Sequence, residues 1–255
     1  MSIVIVTGTG TDIGKTIATA TLAVAVEAAG LEAVVVKPAQ TGFPGERGGD
    51  ADTVTELTGI TNTHGFARYP EPMAPVAAAK RAGMPLLDVA DTTGRIVALD
   101  GPGRVVLVEG AGGLLVRLGD DWALPELSEQ LPGAHTVVVT SMNLGSLNTA
   151  ELTVEVARSR GMNVVGLVGG SVPQRLAGIA ESDLASATER DDTDAITDVD
   201  EAIVATNLRD MSQLTGVPFL ANVAEGAGAL SQSSFAAAAP GWMTATGRQW
   251  LAGLG

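Results

Sequence analysis

The stretch Gly8-Thr9-Gly10-Thr11-Asp12-Ile13-Gly14-Lys15-Thr16 sets three glycines, a lysine and a hydroxyl at a spacing suited to phosphate. The apolar run 3–6, IVIV, leads into it and the Ala/Val-rich stretch 17–29 leads out, so a strand, loop and helix are predicted around it. In such a unit the backbone N–H groups from Gly10 to Lys15 point at phosphate oxygens. Lys15 supplies a cation to the outer phosphates and Thr16 a magnesium ligand. The spacing is a variant, with five residues between Gly8 and Gly14, one more than G-x-x-x-x-G-K-[ST] allows.

Working outward, Gly30 is expected to close the helix, and residues 33–36 read as a buried parallel strand. That strand ends at Lys37-Pro38-Ala39-Gln40-Thr41-Gly42, which puts a lysine at the sheet edge where ligands of open α/β sheets collect. A glycine-rich loop then leads to Asp50 and Asp52, either of which suits the cap of a helix over 51–57. A proline-rich loop at 69–75 precedes helices over 76–82 and 86–99. The run 104–109, RVVLVE, is a further buried strand. Its terminal Glu109 is costly in apolar surroundings without a cation or donors, and the following Gly110-Ala111-Gly112-Gly113 lets a ligand approach the backbone.

Strands are also predicted over 135–140, 163–168 and 217–220, with helices after Asn148 and over 202–214. The acidic stretch 175–201 reads as a solvated surface excursion, and Trp242 and Trp250 as packing residues. The 45% hydrophobic content with 3% aromatics suits a mostly parallel sheet covered by helices on both faces, in a single α/β domain spanning 1–255.

A net charge of −14 argues against a polyanion as partner, so no nucleic acid is expected, while a small anion held by a local loop stays open. Cysteine is absent, which removes disulfides and thiolate chemistry. No charged leader and no long apolar run is visible, so a cytoplasmic protein without a membrane partner is expected. The two histidines, His64 in a loop and His135 in a strand, build no zinc site. Neither a G-x-S-x-G elbow nor the G-x-G-x-x-G dinucleotide fingerprint is present.

Taken together, TGTGTDIGKT at 7–16, KPAQTG at 37–42, the aspartate of GGDAD at 50, EPMAP at 71–75, VEGAGG at 108–113, LGSLN at 144–148 and VPFLA at 217–221 resemble the dethiobiotin synthetases. The resemblance spans nearly the whole chain. It implies a single-domain P-loop NTPase fold and a homodimer that uses ATP and Mg²⁺ to close the ureido ring of dethiobiotin from 7,8-diaminononanoate and CO₂. It further implies that Lys37, Lys15 and Thr11 are catalytic, and that Thr16, Asp50 and Glu109 hold the metal. Nucleotide contacts are implied for Asp12, Ile13, Gly14, Lys15, Thr16, Ile17, Asp50, Glu109, Gly110, Ala111, Gly112, Gly170 and Ser171, with Pro218, Phe219, Leu220 and Glu225 completing the base pocket. Substrate contacts are implied for Thr11, Lys37 and Thr41, and the partner's copies of Gly145, Ser146, Leu147 and Asn148 would receive the substrate tail.

Three departures stand out, one being the acidic stretch 175–201, which looks inserted relative to compact members. Asp12 replaces a frequent glutamate, and Gly170-Ser171 replaces an asparagine that reads the adenine edge in many members, which predicts weakened base discrimination. Two other readings are a related amide-forming P-loop ligase, whose usual glutaminase cysteine is missing here, and a partitioning or switch ATPase. The latter usually has a second lysine early in the loop, where this chain has Thr9, Gly10 and Thr11.

Overall fold

Runs of β-branched residues with no polar alternation need apolar cover on both sides, and the computed structural model, which describes residues 2–42, 45, 48–179 and 199–255, provides it. Strands β1 (Ile3–Gly8), β2 (Glu32–Thr41), β3 (Thr63–Tyr69), β4 (Arg104–Glu109), β5 (His135–Ser141), β6 (Asn163–Val172) and β7 (Phe219–Ala224) form one sheet in the order β3-β2-β4-β1-β5-β6-β7. All neighbouring pairs are parallel. From central β1 the chain winds to one edge, returns as β4 beside β1, and then winds to the other edge. The carboxyl ends of β1 and β4 therefore meet where the winding reverses.

The connecting helices are α1 (Lys15–Ala28), α2 (Asp50–Thr58), α3 (Pro75–Ala82), α4 (Val89–Val97), α5 (Leu124–Glu129), α6 (Ser146–Ser159), α7 (Val199–Thr215), α8 (Gln232–Trp242) and α9 (Ala245–Ala252). Strand residues alternate between two cores. Val4, Val35 and Leu107 pack with α1, α2, α8 and α9, and Ile5, Val34 and Val108 with α3, α4 and α5. A third core joins Val138 and Leu167 to Val154 of α6 and Leu208 of α7. Small Ala residues let α1 lie close against the sheet, with residues 18–26 buried throughout.

Several elements depart from the sequence expectation. β2 runs on through Pro38 because its pairing with β4 ends at Val36↔Val108. Beyond that point only β3 is paired, so the missing N–H breaks no ladder there. Edge strand β3 went unforeseen, its THGFARY sequence lacking a β-branched run; His64 sits in this strand, not in a loop. The short α5 and the C-terminal α8 and α9 were also unforeseen. In α2 neither aspartate caps. Gly49 is the N-cap and Asp50 the first helical residue.

Of the acidic stretch, 180–198 lies outside the described residues. Its flanks are a 3-10 turn, Gln174–Leu176, and α7, which begins at Val199 and so holds Asp200 and Glu201 in its first turn, where carboxylates suit the helix dipole. Arg175 pairs with Glu201 across the two flanks. Both late tryptophans pack as expected: Trp242 meets Phe235 edge-on at 5.3 Å, and Trp250 Nε1 donates to His135 Nδ1 at 3.0 Å.

Helix α9 is pinned to β7 by Thr244, whose hydroxyl donates to Phe219 O at 2.7 Å and accepts from Gly247 N at 3.0 Å. A Cβ at Gly247 would strike the Leu220 carbonyl, which is backbone and cannot swing aside. Intrinsic propensity favours Ala over Gly in a helix by about 1 kcal/mol. The packing reverses that sign, so Gly247→Ala is expected to destabilise by about 1–3 kcal/mol. Urea denaturation checks this, and a stabilised variant would refute the close approach.

Candidate active site

The loop after β1 turns on Gly14, whose φ of 89° at the N-cap of α1 is a left-handed conformation. No side chain caps this helix, so its first N–H groups are directed at the space beyond β1. Lys15 folds back within the loop and donates to Gly10 O at 2.6 Å. Beside it Glu109, at the tip of β4, meets Lys37. Lys37 lies within β2, not at its end as the sequence suggested, and is the first residue past the β4 pairing. Lys37 Nζ lies 2.8 Å from Glu109 Oε1, 2.7 Å from Gly110 O and 2.5 Å from Asp50 Oδ2. Thr16 Oγ1 donates to the same Glu109 oxygen at 3.0 Å.

Lys37 and Glu109 are 4% and 2% exposed, so each is the condition for the other's burial. Burial pushes the Lys37 ammonium down, but Glu109 and Asp50 outweigh it and hold its pKa above the ordinary lysine value. For Asp50 burial acts upward, and Lys37 outweighs it, with further help from the Thr16 hydrogen bond, so the carboxyl is held below its ordinary value. Lys15 lacks such a partner. Burial lowers its pKa, Lys37 repels it further, and the carboxylates offset only part.

These groups line one cavity of about 780 Å³ together with Thr11, Asp12, Gly14, Ile17, Thr41, Ala111 and Gly112. Its other wall is apolar or amide, from Gln40, Pro72, Met73, Pro75 and Val116, none of which was singled out from sequence. The EPMAP and KPAQTG stretches had been quoted, but nothing in a sequence shows which of their side chains turn inward.

A second cavity, of about 330 Å³, adjoins through Asp12, Gly14 and Ile17, and is closed by Ile13, Ser141, Met142, Asn143, Gly170, Ser171, Val223, Ala224 and Gly226 among others. Asp12 and Ser171, with φ of 57° and 58°, are its two non-glycine residues in left-handed conformation. Gly170 is held to glycine by the loop itself, because a Cβ there would lie 2.5 Å from Ile13 O. An asparagine cannot enter at 170 with the loop in this position, and Asn143 is the asparagine that borders the cavity.

Other expected residues lie apart. Pro218, Phe219 and Leu220 belong to the amino end of β7, Pro218 exposed and the other two in the core. The part of β7 that reaches the cavity is its carboxyl end, Val223 and Ala224, with Glu225 between them and Gly226. The expectation for that strand was thus one end too early, since strand polarity and not motif similarity decides which end meets the ligand edge. Gly145, Ser146, Leu147 and Asn148 start α6 away from both cavities. The Ser146 hydroxyl accepts from Asn207 Nδ2 at 3.0 Å, whereas Asn148 and the neighbouring Leu144 are exposed.

Among the described residues no cluster of three or more His, Cys, Asp or Glu could hold a metal alone. The Thr16 hydroxyl with the Asp50 and Glu109 carboxylates offers hard oxygen donors, too few to encircle an ion and suited to magnesium that keeps waters and phosphate oxygens. A third depression, about 550 Å³ and bordered by Glu27, Glu32 and Asn62, lies at the amino end of the sheet and has no phosphate-binding feature.

A phosphate loop ending the central strand of a parallel sheet, with an acidic residue at the tip of the adjacent strand, defines a P-loop nucleotide-binding protein. An AAA domain family matches residues 3–227. The chain is 48% identical to the ATP-dependent dethiobiotin synthetase BioD of Corynebacterium kroppenstedtii, over 95% of this chain and 94% of that one. It is 43% identical to that of Rhodococcus jostii, over 98% and 97%. The chain belongs to the ATP-dependent dethiobiotin synthetase family. Among solved structures it is similar to the septum site-determining protein MinD complexed with Mg-ADP from Pyrococcus horikoshii, with a TM-score of 0.54 and 16% identity over 99% of this chain and 93% of that one, a likeness of fold.

Removing Lys37 leaves Glu109 buried without its cation, and Lys37→Met is expected to cost about 3–5 kcal/mol in the nucleotide-free protein. Adding Glu109→Gln is expected to recover most of that loss in a denaturant double-mutant cycle, whereas additive losses would deny the coupling. The pH dependence follows from the two signs. Asp50, lowered on folding, contributes stability above its ordinary value of 3.8 that is lost as pH falls through its folded value. Lys37, raised on folding, contributes stability below its ordinary value of 10.5 that is lost as pH rises through its folded value. Between the two, the Asp50 and Lys37 contributions are flat, whereas Lys15, lowered on folding, carries a penalty that is relieved as pH rises from its folded value toward 10.5; thermal midpoints across pH read the sum.

Proposed function

We propose that this chain is an ATP-dependent dethiobiotin synthetase that closes a ureido ring between the two amines of 7,8-diaminononanoate and CO₂. The observation that carries the reading is the Lys37 ammonium held at the lip of the phosphate cavity by Glu109 and Asp50, in a chain so similar to named synthetases. One amine adds to CO₂ and loses a proton, giving a carbamate. A carbamate oxygen attacks the γ-phosphorus of ATP and ADP leaves. The second amine attacks the carbamoyl carbon, inorganic phosphate leaves, and the ring is complete.

Each step creates or moves negative charge, which fixed cations and backbone donors stabilise without reorganising. Lys15 and the N–H groups of the loop hold the β- and γ-phosphates, and Lys37 with Thr11 and Thr41 holds the carbamate. Thr16, Asp50 and Glu109 would hold magnesium, which would supply positive charge to the phosphates. The apolar wall of Pro72, Met73 and Val116 suits the alkyl chain of the substrate. The second cavity takes the base, against Gly170, Ser171 and the end of β7. A homodimer in the cytoplasm would bring the partner's α6 start to the substrate carboxylate. Supporting this, the N-cap of α6 is Gly145, with no side-chain cap, beside Leu144 at 86% exposure.

Phosphate release with Mg-ATP, bicarbonate and the diamine, each omitted in turn, tests the reading. Turnover is expected to require all three, and hydrolysis indifferent to the diamine would instead indicate a switch ATPase. With no amide at Gly170, CTP and GTP are expected to support turnover within about a hundredfold of ATP; a steeper preference would show that Asn143 or backbone groups read the base.

A further inference from the structure

Asp50 reaches Lys37 and the phosphate cavity from the first turn of α2, so its placement depends on how that helix start is held. The N-cap position cannot do so. Gly49 has no side chain, its φ is 120°, and a Cβ there would lie 2.8 Å from Gln40 Cδ, so no serine or aspartate fits. The holding groups come instead from the sheet. Gln40 on β2, 6% exposed, accepts the Asp50 N–H at 2.8 Å through Oε1 and is itself oriented by donating Nε2 to Thr41 O at 3.1 Å. Directly opposite it in the β2–β3 register stands Arg68. Its guanidinium donates to Gly48 O and to Asp52 Oδ2, each at 2.6 Å.

We propose that Gln40 and Arg68, neighbours across β2 and β3, are positioning residues that clamp the first turn of α2 and so present the Asp50 carboxylate to the magnesium ion. The proposal rests on the reading of Asp50 as a metal ligand. Side chains from two neighbouring strands thus bind the residues before and after Gly49. Gln40 binds the amide of the ligating residue itself, and Arg68 fixes the carbonyl two residues before it. The Arg68–Asp52 pair is partly exposed and worth little as stability, whereas its geometry orients the turn. Groups that orient metal ligands typically govern metal affinity 10- to 100-fold.

The test measures binding of Mn²⁺, as a paramagnetic stand-in for magnesium, to the full chain with a non-hydrolysable ATP analogue, by electron paramagnetic resonance. Metal-free affinity for the analogue is measured beside it. Gln40→Leu and Arg68→Met are each expected to weaken Mn²⁺ binding about tenfold or more while leaving metal-free nucleotide affinity within about twofold. Arg68→Lys, which keeps a donor for the Gly48 carbonyl, is expected to retain more of the metal affinity than Arg68→Met. Asp50→Asn is the reference. If it weakens Mn²⁺ binding and the clamp variants do not, the clamp is refuted and the ligand reading stands. If Asp50→Asn leaves Mn²⁺ binding unchanged, the ligand reading fails and the clamp with it. Equal loss of metal-free nucleotide affinity in Gln40→Leu and Arg68→Met would mark general damage to the site and also overturn the proposal.

Discussion

The structure turns on one buried ammonium. Lys37 satisfies three oxygens that come from separate parts of the chain: Asp50 on α2, Glu109 at the tip of β4, and the carbonyl of Gly110 after it. A charge at this depth is tolerated only when paired and hydrogen-bonded, and the same holds for Glu109. Thr16 on α1 joins through Glu109, so the helix that carries the phosphate loop is bound into the same network. The placement of α1, α2, β2 and β4 relative to one another is therefore written in this cluster as much as in the apolar cores.

The geometry of the sheet makes room for it. β2 and β4 pair through Val36↔Val108 and then part, while β2 continues against β3 alone. Lys37 is the first residue past the parting and Glu109 the first on the other side. Pro38 follows at once and, having no N–H to donate, cannot resume the ladder with β4. The strand that loses its neighbour gains a cleft, and the two charged residues face each other across it where ligands can enter.

Much of this was legible in the sequence because the site falls on ends of strongly patterned strands. Residues 3–6 and 104–109 are unmistakable buried strands, and Glu109 ending such a run points to a cation or donors, whereas Lys37 taken alone could equally be a surface lysine and gains meaning only beside the phosphate loop. What stayed hidden depends on tertiary context. β3 has no β-branched run and is stabilised by its edge pairing and by Arg68. Helix α5 is a short piece with Pro125 in its first turn. At β7 the motif drew attention to Pro218, Phe219 and Leu220, but parallel pairing with β6 sends that end of the strand away from the cavity. Gln40 was quoted within its motif and its role missed, because a glutamine that caps a helix ten residues later leaves no local signature.

The balance of charge also explains how so acidic a chain attracts a polyphosphate. At −14 overall, long-range attraction is absent, and the site must work through short-range groups. Lys15, Lys37, Asp50 and Glu109 sum to zero in their charged forms. They are not equivalent, however, since Lys37 takes up both carboxylates and Lys15 is left with a backbone carbonyl while burial and Lys37 depress its pKa. Lys15 is the cation whose electrostatic requirements the folded protein leaves unmet. Anionic phosphate on the uncapped N–H groups of α1 would supply that charge, whereas Lys37 is already paired within the protein.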